Sequence, residues 1–256
     1  MTTALIGHTG FVGGNIARTW TPDEVFNSRT IEGFRGRRFT TVVCAGAYAE
    51  KWRINQDPAP DDAGIRRLAE IVCSARIDRL VLISTVDVFP SPRAVDESTP
   101  IDPAAGQPYG RHRHWLETTL SSSIDTIVVR LPALYGPGLK KNAIFDLVNE
   151  NQVDRLNGAS SFQFYDVRGL WADIQTAMTA GLRLVHPVTE PVQLGVLARD
   201  VFEMTLRDEP KTAANYDVRT RHADVFDRAG PYLRSRAEVI SSLRDYVASG
   251  AASRGS

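Results

Sequence analysis

Near the start of the chain, Thr3-Ala4-Leu5-Ile6 runs into Gly7-His8-Thr9-Gly10-Phe11-Val12-Gly13. A short apolar strand is followed by glycines at three-residue spacing and then by helical sequence, and few folds accept that order. Glycine at 7 admits a tight turn, at 10 it lets backbone approach an anion, and at 13 it lets the helix pack close on its strand. The free amides of the helix start, aided by its dipole, suit a dinucleotide pyrophosphate. Gly7, Thr9, Gly10, Phe11, Val12 and Gly13 are the first candidate binding residues.

Beyond this loop, apolar runs alternate with helical periodicity, the pattern of parallel strands joined by crossover helices. Phe11 to Trp20 reads as the first helix, closed by Thr21-Pro22. Val25-Phe26 opens a second strand and Phe39 to Cys44 forms a third. The gap between them is near the minimum for a parallel crossover, so its helix is expected to be one turn or absent. Asp61 to Arg76 has helical spacing of Ile65, Leu68, Ala69 and Val72 behind an aspartate read as the N-cap.

Leu80 to Ser84 reads as the fourth strand, and residues 86–108, with five prolines, as a long irregular loop. A helix from Tyr109 to Leu120 and a strand from Thr126 to Leu131 complete the unit. After Pro132 the organisation loosens. Helices are expected at Ala143 to Glu150, Val167 to Leu182 and Arg236 to Val247, with strand-like pieces at Ser161 to Tyr165 and Pro191 to Leu194. The fold expected is a Rossmann-like, doubly wound parallel α/β sheet over residues 1–132. Residues 133–256 are expected to add sheet-completing elements and a small C-terminal substrate lobe over the carboxyl ends of the strands.

Composition excludes several classes. With 30 basic and 30 acidic residues the net charge is zero, so no global field points to nucleic acid or an anionic membrane. No apolar run approaches the roughly 18 residues of a membrane span, and Met1-Thr2-Thr3 has no charged leader. The chain reads as soluble and cytoplasmic. Cys44 and Cys73, both in apolar runs, read as buried free thiols. No histidine and carboxylate spacing suggests a metal.

Five ordered motifs carry a family resemblance: G-H-T-G-F-V-G, V-V-C-A-G-A at the end of the third strand, L-I-S-T-V-D-V-F at the end of the fourth, Y-G-R-H-R opening a helix, and R-L-P-A-L-Y-G-P-G after the next strand. Over about residues 1–140 they resemble the extended and atypical short-chain dehydrogenase/reductases, the NAD-dependent epimerase/dehydratase family. The branch most resembled is that of sugar-nucleotide enzymes such as dTDP-4-dehydrorhamnose reductases. The resemblance implies that Ala45, Gly46 and Ala47 pass under the cofactor and that Ser84 lies beside it. It implies that Thr85 holds the reacting oxygen, Tyr109 is the general acid/base, and Pro132 through Leu134 line the nicotinamide pocket.

One departure matters. The family pairs its tyrosine with a lysine four residues later, and here that place holds Arg113. A phenol with a pKa of about 10 needs a cation to work near neutrality, and Arg113 shares a helix face with Tyr109. Its guanidinium supplies charge but cannot relay a proton. Lys51 reads as a solvated lysine rather than a second cation at the site. Asp87 either orients substrate or accepts bonds from loop amides. His112 and His114 are expected to point around the helix from Arg113, toward a surface or interface. Trp52 and Trp171 read as core.

Asn27-Ser28-Arg29 stands where an acidic residue would hold a bare ribose. A hydroxyl and a guanidinium suit a 2′-phosphate, so NADP is favoured over NAD, with Arg35, Arg37 and Arg38 adding positive charge nearby. Lys140, Lys141 and Asn142, after Gly136-Pro137-Gly138, are substrate candidates together with Asp87, and Arg168, Arg219 and Arg221 could meet an anionic group. The expected activity is that of an NAD(P)-dependent oxidoreductase acting on a sugar or nucleotide-sugar. An epimerase or dehydratase with retained cofactor and a silent dinucleotide-binding protein are the alternatives. A homodimer through His114, Trp115 and Thr118 is the partner considered.

Overall fold

The structure, a computed structural model, describes residues 2–250. In chain order the first elements are β1 (Thr3–Ile6), α1 (Phe11–Thr19), β2 (Glu24–Phe26), β3 (Arg38–Cys44), α2 (Lys51–Gln56), α3 (Ala59–Cys73) and β4 (Arg76–Thr85). Next come β5 (Arg93–Val95), α4 (Pro108–Ser121), β6 (Thr126–Leu131), β7 (Ala133–Tyr135), α5 (Ala143–Val148), β8 (Ser161–Phe162) and β9 (Phe164–Asp166). The last are α6 (Leu170–Thr179), β10 (Leu184–Val185), β11 (Val192–Gln193), α7 (Leu194–Phe202), β12 (Asp217–Val218) and α8 (Arg236–Ala248).

Among the described residues the chain divides into two compact units, one of residues 2–91, 99–130 and 171–185 and one of residues 92–98, 131–170 and 186–250. In the first, a six-stranded parallel sheet runs in the order β10-β6-β4-β3-β1-β2. Because strand side chains alternate between faces, Ala4, Ile6, Val42, Cys44, Leu80 and Leu82 join Ile65, Leu68 and Val72 of α3 and Leu116 and Leu120 of α4 in one cluster. The intervening Leu5, Val43 and Val81 are also fully buried, so both faces are covered, as parallel sheets require.

The short β2 to β3 crossover holds a single 3-10 turn, Ile31–Phe34, in keeping with its length. Phe34 stacks on Phe39 at 4.7 Å and meets Phe26 edge-on at 5.2 Å. Three rings thus fill the space a longer helix would occupy.

Several expectations are corrected. Asp61 is the third residue of α3, not its cap, since the helix starts at Ala59 behind Pro58. Cys44 is buried, but Cys73, the last residue of α3, is exposed. Trp171 is buried and stacks on Trp20 at 4.4 Å, whereas Trp52 is 63% exposed. Trp115 is half-buried against the core and carries the Arg66 guanidinium 4.6 Å from its ring centroid.

The second unit is built from short pieces: the pairs β7 with β9, β8 with β11 and β5 with β12, and the helices α5, α7 and α8. Gln163 ties them internally, donating to the Thr189 and Val218 carbonyls and accepting the Val218 N–H. α8 begins with a capping box between Ser235 and Glu238, which satisfies amides at its first turn. Among the described residues no helix is long and apolar enough to cross a membrane, and no group of His, Cys, Asp or Glu is arranged to hold a metal.

At the turn after β1, a Cβ on Gly13 would lie 2.3 Å from the Gly7 carbonyl oxygen. Gly13→Ala is expected to push α1 off its strand and lower the unfolding free energy by about 1–3 kcal/mol, read as a fall in the urea midpoint.

Candidate active site

In an open parallel sheet, ligands bind past the carboxyl ends of the strands where the chain order reverses. Here β1 lies between β2 and β3, so the reversal falls between β1 and β3, at Gly7 and Ala45. Gly7 has φ +87°, and a Cβ there would lie 2.3 Å from the Ala45 carbonyl oxygen. Its N–H donates to the Phe26 carbonyl at 2.7 Å, and its own carbonyl accepts from Gly10 at 2.9 Å. α1 starts behind Gly10 with no side-chain cap and no acidic residue in its first turn. A cradle without Cβ atoms, ending on helix amides that no side chain caps, fits a dinucleotide pyrophosphate. Thr9, Gly10 and Gly46 are exposed along it.

At the end of β2, Asn27 Oδ1 accepts the Arg29 N–H at 2.9 Å, and Ser28 and Arg29 are exposed. The basic cluster next to it is largely compensated: Arg35 pairs with Glu32 and Glu70, and Arg37 with Glu24.

The second part of the site stands at the ends of β4 and α4. Thr85 ends β4, and its Oγ1 accepts the Asp87 N–H at 3.1 Å. Tyr109, in the first turn of α4, is 8% exposed, and the Thr85 hydroxyl is among the groups that favour ionisation of its phenol. α4 approaches so closely that a Cβ on Gly110 would lie 2.1 Å from the Asp87 carbonyl oxygen. The Tyr109 N–H, one of the helix's unpaired amides, donates to Asn55 Oδ1 of α2 at 3.0 Å.

Arg113 packs its guanidinium carbon 4.4 Å from the Tyr109 ring centroid. Its side chain is 3% exposed. It donates to Asp61 Oδ2 at 2.5 Å, to Asp61 Oδ1 at 3.0 Å, and to the Tyr48 carbonyl. His112 does not point away from this cluster: its Nδ1 lies 2.6 Å from Asp61 Oδ2. Lys51 is not simply solvated either, since its Nζ lies 2.7 Å from Asp87 Oδ1.

The phenol sits above its ordinary pKa. Burial raises it most, Arg113 lowers it, Asp87 raises it, and Lys51 and the Thr85 hydroxyl lower it. The net effect is a Tyr109 that holds its proton at neutral pH.

Ser84 donates to Glu117 Oε1 at 2.5 Å, and Arg130 binds the same carboxylate through Nε at 3.0 Å and Nη2 at 2.7 Å. Burial alone would raise Glu117, but hydrogen bonds from His114, Arg130 and Ser84 outweigh it and hold the carboxyl below its ordinary range. The Ser84 hydroxyl is therefore engaged with the helix.

The remaining candidates lie in the second unit. Asn142 caps α5, its Oδ1 accepting from Ile144 and Phe145 and its Nδ2 donating to the Leu134 carbonyl at 2.7 Å. It does so at φ 138° and ψ −178°, a region that disfavours residues with a side chain. Pro132 is buried, Leu134 pairs with Tyr165, and Lys140 and Lys141 are exposed. Arg168 and Arg219 are each paired with a near neighbour, Asp166 and Asp217, while Arg221 is exposed.

Residues 24–158 match the sequence profile of the NAD dependent epimerase/dehydratase family. The chain belongs to that family. The matched segment carries Thr85, Tyr109 and Arg113. Among curated proteins none matches.

Many solved structures share the fold, three of which follow. UDP-N-acetylglucosamine 4-epimerase from Methanobrevibacter ruminantium, in complex with UDP-N-acetylmuramic acid, superposes with TM-score 0.75 at 14% identity, covering 96% of this chain and 97% of its own. dTDP-4-dehydrorhamnose reductase from Yersinia enterocolitica gives 0.74 at 13%, covering 97% and 99%. RMD from Pseudomonas aeruginosa, complexed with NADPH, gives 0.74 at 16%, covering 99% and 100%.

Sequence reading missed Asp61, Asn55 and the carbonyl of Tyr48. Asp61-Asp62 at the start of α3 and Arg111-His112-Arg113-His114 at the start of α4 are complementary in charge, the one signal that could have found the pairing. Replacing Asp61 by Asn leaves a buried guanidinium uncompensated. The unfolding free energy is expected to fall by about 3–5 kcal/mol, measured by urea denaturation.

Proposed function

We propose that this chain is an NADP-dependent reductase of a carbonyl on a sugar or nucleotide-linked sugar. The observation that carries the reading is a buried phenol, Tyr109, kept protonated by that burial, in the same unit as a backbone cradle suited to a dinucleotide. A bound nicotinamide would supply the hydride to the carbonyl carbon. Tyr109 donates its proton to the carbonyl oxygen and Thr85 holds that oxygen in place. Shielding by the surrounding side chains keeps water from competing for the phenolic proton.

The protonated state favours the reductive direction, because oxidation of an alcohol needs the phenolate from the start. NADP is preferred because Ser28 and Arg29 stand exposed after β2, where a 2′-phosphate would find a hydroxyl and a guanidinium and no carboxylate. Fold relatives act on or bind UDP- and dTDP-linked sugars by their names, which supports a nucleotide-linked substrate here. Lys141 and Asp87 are the candidate substrate contacts, Asn142 being engaged as a cap.

Purified protein is expected to consume NADPH in the presence of a nucleotide-linked keto-sugar, followed by loss of absorbance. Tyr109→Phe is expected to lower turnover about 10²- to 10⁴-fold while leaving NADPH binding by calorimetry unchanged. A sugar product formed without net NADPH consumption would identify an epimerase instead. Since the raised phenol pKa keeps the acid form through neutrality, the reduction rate is expected to stay level across neutral pH and decline only above about pH 10 as the phenol ionises.

A further inference from the structure

Two turns beyond Tyr109, α4 carries Glu117, whose side chain is 4% exposed. A carboxylate is seldom taken so far from water unless it is paired, and its partners here come from two neighbouring strands and from its own helix. Ser84 on β4 donates to Oε1 at 2.5 Å. Arg130 on β6, the strand beside β4, donates to Oε1 through Nε at 3.0 Å and to Oε2 through Nη2 at 2.7 Å. His114 Nδ1, one turn back on α4, lies 3.4 Å from Oε2.

Replacing a buried ion pair by apolar side chains of similar volume often costs no stability, so folding alone does not call for this one. Its position in the site does. Ser84 directly precedes Thr85, and Phe89, four residues after Thr85, lies under Arg130, its ring centroid 5.2 Å from the guanidinium carbon. Between these two points the chain leaves β4 in a single 3-10 turn, Val86–Val88. Thr85 Oγ1 accepts the Asp87 N–H at the start of that turn, and the Phe89 N–H closes it on the Val86 carbonyl at 3.1 Å. One ion pair therefore grips both ends of the segment that presents Thr85, the carboxylate through the residue before it and the guanidinium through the ring after it. Because the carboxylate stands on the helix that carries Tyr109, the same grip fixes Thr85 relative to the phenol.

We propose that Glu117 and Arg130 form a positioning clamp, holding Thr85 and Tyr109 at the separation at which both meet one carbonyl oxygen; this rests on the reading of those two residues as the oxygen-holding and proton-donating groups. Ser84, Glu117, Arg130 and Phe89 are positioning residues that act through Thr85 and Tyr109. A misplacement of about 1 Å in such a constellation costs on the order of 10²-fold in rate, and side chains locked by hydrogen bonds behind the reacting groups prevent it. Ser84 is the link at which the clamp opens without breaking the ion pair, because Glu117 Oε1 keeps its bond from Arg130 Nε when the serine hydroxyl is gone.

Two variants and two readouts test the clamp. Ser84→Ala is expected to keep the parent's urea midpoint and its KM for the keto-sugar while kcat falls about 10- to 100-fold. Amide hydrogen exchange at Asp87 and Phe89, whose N–H groups hold the turn, is expected to quicken about tenfold. The double variant Glu117→Met with Arg130→Met is expected to hold or raise the urea midpoint and to lose kcat to the same degree. A pair that served folding alone would leave kcat at the parent value wherever the midpoint is kept. A parent-like kcat in Ser84→Ala, a loss that appears in KM instead, or exchange at Asp87 and Phe89 that stays at the parent rate overturns the proposal. If the double variant loses stability, Ser84→Ala decides alone. A parent that reduces no nucleotide-linked keto-sugar ends the reading of the reaction, and the exchange rates then decide whether the clamp holds the turn.

Discussion

Three backbone segments meet after β1 at distances that leave no room for a side chain. The Gly7 carbonyl occupies the place of a Cβ on Gly13, and the Ala45 carbonyl occupies that of a Cβ on Gly7. This contact sets how near α1 and the end of β3 come to the first turn, and the candidate cradle exists only at that spacing. The order of the sheet follows from the same region, since the chain leaves β1 for β2 on one side and returns to β3 on the other. The apolar alternation of β1, β3 and β4 then buries both faces, and the strand ends carry Ala45 and Thr85 to the same edge of the sheet.

At the other end of the site, electrostatics decide more than packing. A buried phenol resists ionisation, and the charges around it divide into two kinds. Arg113 and Asp61 form a dry, rigid pair that braces α4 against α3. Lys51 and Asp87 form a wetter pair between α2 and the segment after β4.

The fold was legible where information is local. β3, β4 and β6 are apolar runs, α4 opens at a proline and a tyrosine of recognisable spacing, and the shortness of the β2 to β3 gap forced a single turn. α2 escaped notice because Lys51–Gln56 buries only Ile54, too little to make a periodic pattern. α7 was hidden behind Leu194-Gly195, which ends a strand-like piece as readily as it begins a helix. The pairing of Asp61 with Arg113 spans 52 positions, and nothing in a local pattern specifies it. Arg35 and Arg37 were read as free positive charge because Glu24, Glu32 and Glu70 become their neighbours only once the sheet is assembled. Cys73 lies in an apolar run but at the last turn of α3, where the helix face has already rotated toward solvent.

The fork of Arg113 has a consequence for how this chain can change. Lysine at that position would offer a compact ammonium in place of a planar fork, and it could not reproduce the guanidinium's bonds to both Asp61 oxygens together with the Tyr48 carbonyl. Altering Asp61 first would strand the guanidinium. Conversion between the two kinds of site therefore requires paired substitutions on α3 and α4, and an ancestor or descendant with only one of them would stand in a stability valley between two workable arrangements.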